Sequence, residues 1–288
     1  MGITLYKNAD WILTVNEKRE KFRHGDLLIS GKEILDVGND LEKKYAGKLQ
    51  IDKTIDAKGT VILPGFVNIH HHTWQSLIRN IQATRGLKLE PWLTVMYEIY
   101  KDLNTDVARA GVYSGLGDML KTGCTTSNDL WYPHPVGVKY LVDAEIQAAA
   151  EIGIRFHPTR GFHSVPSDIV PPEVVDTKES VTEDTIRLVK KYHDRSRFSM
   201  CQVGIAPSIA QYETEDIIEA VVDLAEEYDI MVHGHLAESQ HEVEYTLKTW
   251  GCRPFEWFKR HRLLGKRFYF AHCIHLNEEE IEQMAETE

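Results

Sequence analysis

The sequence predicts an α/β protein built as a TIM-type (β/α)8 barrel, of which about six β/α units are present, preceded by a small β-rich portion. Three observations predict it. From Gly65 onward, short apolar runs alternate with longer amphipathic stretches, as in parallel βαβ units. No glycine-rich phosphate loop follows the first of those runs, which argues against a dinucleotide-binding sheet. Before Gly65 the apolar runs are brief, with Asn, Gly, Lys and Glu between them, as at turns joining strands.

In chain order, residues 3–62 hold strand candidates Ile12–Val15, Asp26–Ile29 and Ile34–Gly38, with a hairpin around Ser30-Gly31-Lys32-Glu33. Pro64-Gly65 ends this part, giving expected domains 1–64 and 65–288. The barrel strands are expected at Phe66–His70, Thr125–Leu130, Ile154–Pro158, Ser199–Ala206, Ile230–Leu236 and Phe268–Cys273. Between and after them, helical periodicity marks Asp106–Lys121, Val138–Glu151, Thr182–His193, Glu213–Tyr228, Ser239–Thr249 and Glu278–Ala285. A closed barrel of this type needs eight strands, and an open edge exposes unpaired backbone. The sequence stops within the last helical pattern, so the expectation is that it is a fragment and that the natural protein continues.

Composition narrows the partners. The net charge is −11, and no cluster of Lys and Arg suits a phosphate backbone, so nucleic acid is not expected. Acidic runs such as Glu278-Glu279-Glu280 read as solvated helix faces. There is no apolar run of 18 residues and no membrane span is expected. The N-terminal residues lack the basic start and apolar core of a secretory signal. Four cysteines without CxxC spacing indicate neither a disulfide framework nor a thiolate zinc site, and a reduced, cytoplasmic setting is expected. A small molecule is the expected partner.

Three elements carry chemistry. In His70-His71-His72, alternate residues of an extended chain share a face, so His70 and His72 can turn together toward one metal. His235-Leu236-Ala237-Glu238 offers a further imidazole and, just past the strand, a carboxylate that can reach a metal-activated water. His233 shares a strand face with His235, and the strand pattern alone does not choose between them; Glu238, three residues beyond His235, tips the choice. Ala271-His272-Cys273 ends the sixth strand. A histidine at one strand end is usually structural. Three such elements at C-terminal strand ends fall on the face where barrel enzymes keep their chemistry.

These residues carry a resemblance. The run Ile55-Asp56-Ala57-Lys58-Gly59-Thr60-Val61-Ile62-Leu63-Pro64-Gly65-Phe66-Val67-Asn68-Ile69-His70-His71-His72 resembles the first-strand motif of the amidohydrolase superfamily. Val232–Glu238 is similar to its fifth-strand motif and Ala271-His272-Cys273 to its sixth. Within it the chain resembles the cytosine/guanine deaminase and triazine hydrolase branch. His72-Thr73-Trp74-Gln75-Ser76-Leu77-Ile78-Arg79 is similar to the group of hydroxyatrazine ethylaminohydrolase and 8-oxoguanine deaminase.

The resemblance implies that the N-terminal part belongs to a β-sandwich, and that His70, His72 and His235 are metal ligands. It implies Glu238 as general acid/base and His272 as the group orienting water or polarising substrate. Gln75 matches a position that hydrogen-bonds a ring carbonyl or nitrogen. Arg160, after the third strand, is a candidate for a substrate oxygen or for a loop ion pair. Trp74, Trp131 and Tyr132 could stack on a flat ring or simply pack. The family's eighth-strand aspartate has no counterpart here, and Asp129 does not match its position. Val203–Ala210 holds no lysine to bridge two metals, so one divalent ion is expected, zinc first and iron second. A homodimer is the family expectation. The implied reaction is hydrolytic deamination of an amino-substituted N-heterocycle by metal-activated water. The rivals are a dechlorinating or amide-cleaving hydrolase using the same site, and a metal-binding protein without catalysis.

Overall fold

In the computed structural model, which describes residues 2–287, strand β1 runs Ile3–Leu13 and turns Leu5, Ala9 and Ile12 inward. The expected strand Ile12–Val15 catches only its end. A register shift between Tyr6 and Ala9, with Asn8 at φ 63°, interrupts the two-residue alternation that would have revealed the rest. Strand β2 (Lys21–Ser30) and strand β3 (Glu33–Gly38) form the expected hairpin, Ser30 pairing with Glu33 and Gly31 taking φ 56°. Strands β4 (Lys53–Asp56) and β5 (Val61–Ile62) lie parallel to β1. Helix α1 (Leu41–Tyr45) packs Leu41 with Leu5 and Leu28. These five strands hydrogen-bond into one mixed sheet. A sandwich needs two sheets face to face. Among the described residues this unit, which extends to Phe66, has one sheet.

The second unit, from Val67, is built on a six-stranded sheet. Its strands are β6 (Phe66–Asn68), β7 (Cys124–Trp131), β8 (Arg155–Phe162), β9 (Gly204–Pro207), β10 (Val232–Leu236) and β11 (Phe268–His272). They follow one another across the sheet in sequence order, and β7 through β11 pair in parallel. The six expected strands all exist, with shifted ends. The sheet is nevertheless open among the described residues, with β6 and β11 at its edges, rather than a closed eight-stranded barrel. Every residue of β9 and β10 is buried, as in parallel strands covered on both faces.

Six helices match the sequence pattern: α3 (Thr105–Lys121), α4 (Leu141–Ile152), α5 (Lys178–Tyr192), α6 (Glu215–Tyr228), α7 (Gln240–Trp250) and α9 (Glu278–Ala285). Besides α1, two in this unit were not foreseen, α2 (Leu89–Tyr100) and α8 (Pro254–Arg260). Each carries a proline in its first turn, which reads as a breaker in sequence but is tolerated there because those N–H groups lack helical partners anyway. Among the described residues, no helix is long and apolar enough to cross a membrane.

Candidate active site

His70, His71 and His72 follow the end of β6, and the 3-10 turn Thr73–Leu77 begins directly after them. Strand β10 brings His235 up from the far side of the sheet. It can do so closely because Gly234 separates His233 from His235: a Cβ there would meet the Pro207 carbonyl oxygen at 2.9 Å. One potential ligand nitrogen from each of His70, His72 and His235 lies within 4.8 Å of the other two.

Hydrogen bonds decide what those nitrogens offer. His72 Nδ1 donates to the Leu130 carbonyl at 2.7 Å, and His235 Nδ1 donates to the Ser208 carbonyl at 2.6 Å. Both Nε2 atoms therefore bear lone pairs, and they face each other at 3.2 Å. Two acceptors at that distance repel unless a cation lies between them. Burial, with neighbouring imidazoles, holds His70 down to about 2. Burial lowers His72 to about 3 and pushes His235 well below the ordinary range. Neutral rings with lone pairs converging on one point are what a divalent metal requires. The residues fit the metal.

A carboxylate stands beside them. Ala237, at φ 50°, turns the chain out of β10, a conformation costing roughly 1–3 kcal/mol for a residue with a Cβ. The Ala237 and Glu238 N–H groups both donate to the buried Glu242 carboxyl, at 3.2 and 2.8 Å, which anchors the turn. Glu238 Oε1 then lies 3.2 Å from His272 Nε2, and the His272 ring stacks on His235 at 5.1 Å between centroids. Burial, with help from the Glu90 charge, pushes Glu238 up to about 7. A carboxyl so poised can both take and return a proton near neutral pH.

These groups line a cavity of about 190 Å³. Gln75 reaches it from the Thr73–Leu77 turn and donates through Nε2 to the Tyr100 hydroxyl at 3.1 Å. Tyr132 is part of the wall, 5.1 Å from the His72 ring, whereas Trp74 and Trp131 are fully buried packing groups. Arg160 is not brought here. Strand β8 continues to Phe162, so Arg160 lies inside it, and its guanidinium grips the Asp176 carboxylate through two nitrogens at 2.8 and 2.9 Å and Asp184 at 3.1 Å. Of the two readings of Arg160, the ion pair is the one the geometry supports.

Several cavity residues escaped the sequence reading. Glu90, Trp92 and Tyr97 come from the unforeseen helix α2. His163 sits one residue past β8, a strand-end histidine of the kind singled out elsewhere, and shares a 2.5 Å hydrogen bond with the Tyr97 hydroxyl. Gln211 lies in the 3-10 turn Ala210–Tyr212 after β9, buried, with its Oε1 lacking a hydrogen-bond partner. No local signal marked it. Behind the histidines, Asp129 accepts from the Thr73 N–H and Glu145 accepts from the Thr73 hydroxyl, both at 2.5 Å. This buried acid pair holds the turn that follows His72, and burial raises both carboxyls far above the ordinary range.

An α/β sheet with histidines converging at the C-terminal strand ends beside a buried glutamate is the arrangement of a class of metal-dependent hydrolase folds. The chain belongs to the amidohydrolase family, whose pattern matches residues 61–288. It is 32% identical over 235 residues to 8-oxoguanine deaminase of Pseudomonas aeruginosa, covering 81% of this chain and 52% of that protein. It is 27% identical over 297 residues to hydroxydechloroatrazine ethylaminohydrolase of Pseudomonas sp. strain ADP, covering 100% of this chain and 61% of the relative. Among solved structures it is similar to the atrazine chlorohydrolase of Arthrobacter aurescens TC1 in complex with zinc. There the TM-score is 0.90 at 25% identity, over 99% of this chain and 64% of that one. The chain thus spans only about half to two thirds of the proteins it matches.

Proposed function

We propose that this chain is the metal-holding part of a hydrolase that removes an amino group from an amino-substituted N-heterocycle, such as a purine, pterin, pyrimidine or triazine. His70, His72 and His235 would hold one divalent ion, zinc before iron. The observation that carries this reading is the convergence of their nitrogens within 4.8 Å, with the Nε2 atoms of His72 and His235 turned together by carbonyl hydrogen bonds. The six β/α units are read as part of a (β/α)8 barrel, a reading supported by the likeness to the chlorohydrolase structure.

When bound, the metal supplies the Lewis acidity that makes water nucleophilic near pH 7. Glu238 accepts the proton of the attacking water through a carboxylate oxygen and returns it to the departing nitrogen. His272, 3.2 Å from Glu238 Oε1, stands beside that carboxylate and faces the same cavity, placed to orient the water or polarise the substrate. Gln75 presents its amide to the ring edge, and Tyr132 and Trp92 wall a flat substrate. The activities named for the deaminase and aminohydrolase relatives support a carbon–nitrogen bond as the target. A second reading, hydrolysis of a carbon–chlorine bond at the same site, draws on the chlorohydrolase likeness.

The test is a panel of aminopurines, pterins, aminopyrimidines, amino- and chlorotriazines and N-acyl compounds, incubated with the zinc-loaded full-length protein. Release of ammonia or amine is expected. Chloride release alone would favour the second reading. One bound zinc with no turnover of any compound would favour a metal-binding protein without catalysis.

A further inference from the structure

His233 reads from the sequence as an alternative ligand, because it shares a strand face with His235. The structure gives it different neighbours. Its Nδ1 lies 2.9 Å from the Tyr269 carbonyl oxygen, and its Nε2 lies 2.8 Å from His70 Nδ1. A carbonyl oxygen only accepts, so the proton of this bond sits on His233 Nδ1. In the neutral ring, Nε2 then has a lone pair and can only accept from His70 Nδ1–H. With that proton placed, the remaining nitrogen of His70, Nε2, keeps its lone pair and is the one left to face His72 and His235.

The ring that makes this choice is itself held. His233 is fully buried. The Tyr269 ring stacks on it at 4.2 Å between centroids and 11° between planes, across the pairing of β10 with β11. The Tyr269 hydroxyl accepts from Asn128 Nδ2 at 2.9 Å, which fixes the stacking partner in turn. A carbonyl, one imidazole and a second imidazole thus form a directional chain ending at the metal position.

We propose that His233 is a positioning residue that sets the tautomer and orientation of His70, and so pre-forms the third nitrogen of the metal site. Partners that orient a metal-binding histidine through its other ring nitrogen typically affect metal affinity by about 10- to 100-fold. The inference rests on the metal site proposed above.

The test measures zinc affinity of the metal-free full-length protein by competition with a chromogenic chelator, with circular dichroism as the folding control. His233→Leu, which fills the space but cannot accept, is expected to weaken zinc binding at least tenfold. His233→Gln, whose amide oxygen can replace the lost acceptor, is expected to recover affinity to within about threefold of the original. Unchanged affinity in the folded His233→Leu protein, or no recovery in His233→Gln, overturns the assignment while leaving the metal site standing. If the original protein binds no zinc, both fall. Should His233→Leu not fold, nitrogen-15 NMR of the zinc-loaded original protein decides. Protons on Nδ1 of both His70 and His233 are expected, and an Nε2–H on either ring overturns the proposal.

Discussion

The Nε2 atoms of His72 and His235 face each other 3.2 Å apart, although 163 residues separate them in the chain. Each ring spends its only proton on a backbone carbonyl, so the close approach is unfavourable until a cation enters. Metal is therefore expected to stabilise the fold. At about a thousandfold excess over Kd this amounts to ~4 kcal/mol. Removing zinc with excess EDTA should lower Tm on the order of 10 °C in a scanning calorimeter. A Tm indifferent to the chelator would speak against the metal site.

Glu238 is held near neutrality by burial, with a pKa pushed up to about 7. In the proposed mechanism its carboxylate form accepts the water proton, so kcat/KM is expected to fall on the acid side of about pH 7 with a slope of one proton. Glu238→Gln should keep stoichiometric zinc and lose about 10²–10⁴-fold in turnover, without that acid limb. Metal analysis and a pH–rate profile together check this, and full activity in the variant would remove the assigned base.

Asp129 and Glu145 form a buried carboxyl pair whose ionisation burial opposes. Their folded values lie above the unfolded ones. The stability they contribute is fully present at acid pH, below the unfolded value, and is lost as pH rises through the folded value, by up to about 1.4 kcal/mol per pH unit for one proton. Asp129→Asn can still accept from the Thr73 N–H and can donate to Glu145, but cannot ionise. It is expected to unfold at a higher urea concentration than the original at pH 8, with a flatter pH dependence. Equal midpoints across pH 5–9 would show that the pair is not shifted.

Arg160 and Asp176 are both buried, with side-chain exposures of 3% and 8%. Breaking such a pair leaves an uncompensated charge inside. Arg160→Met is expected to cost about 3 kcal/mol or more of stability, read from urea unfolding. Because Arg160 lies away from the histidine cavity, KM of the folded variant should stay within about twofold. A large rise in KM at unchanged stability would restore Arg160 as a substrate contact.

Much of this was readable before any coordinates. The alternation from Gly65 onward located all six strands of the second unit, and the runs buried throughout, β9 and β10, carry it most clearly. His70, His72, His235, Glu238 and His272, the residues proposed to carry the chemistry, stand out because each sits at or near a strand end in a short local motif. Helix α2 was hidden by Pro91, and with it went Glu90, Trp92 and Tyr97 of the cavity wall. Strand β1 was hidden by its irregularity near Asn8.

Local chain chemistry supplied the candidates for a metal site, since imidazole and carboxylate at strand ends need no knowledge of their neighbours. It could not settle which nitrogen each histidine offers, because that depends on carbonyls from Leu130, Ser208 and Tyr269, all distant in sequence. The strand pattern could not separate His233 from His235, a choice left to Glu238 three residues on, nor aim Arg160, whose direction follows from the acids at 176 and 184. Proton positions and side-chain directions are set by contacts between remote segments, and those exist only once the sheet has assembled.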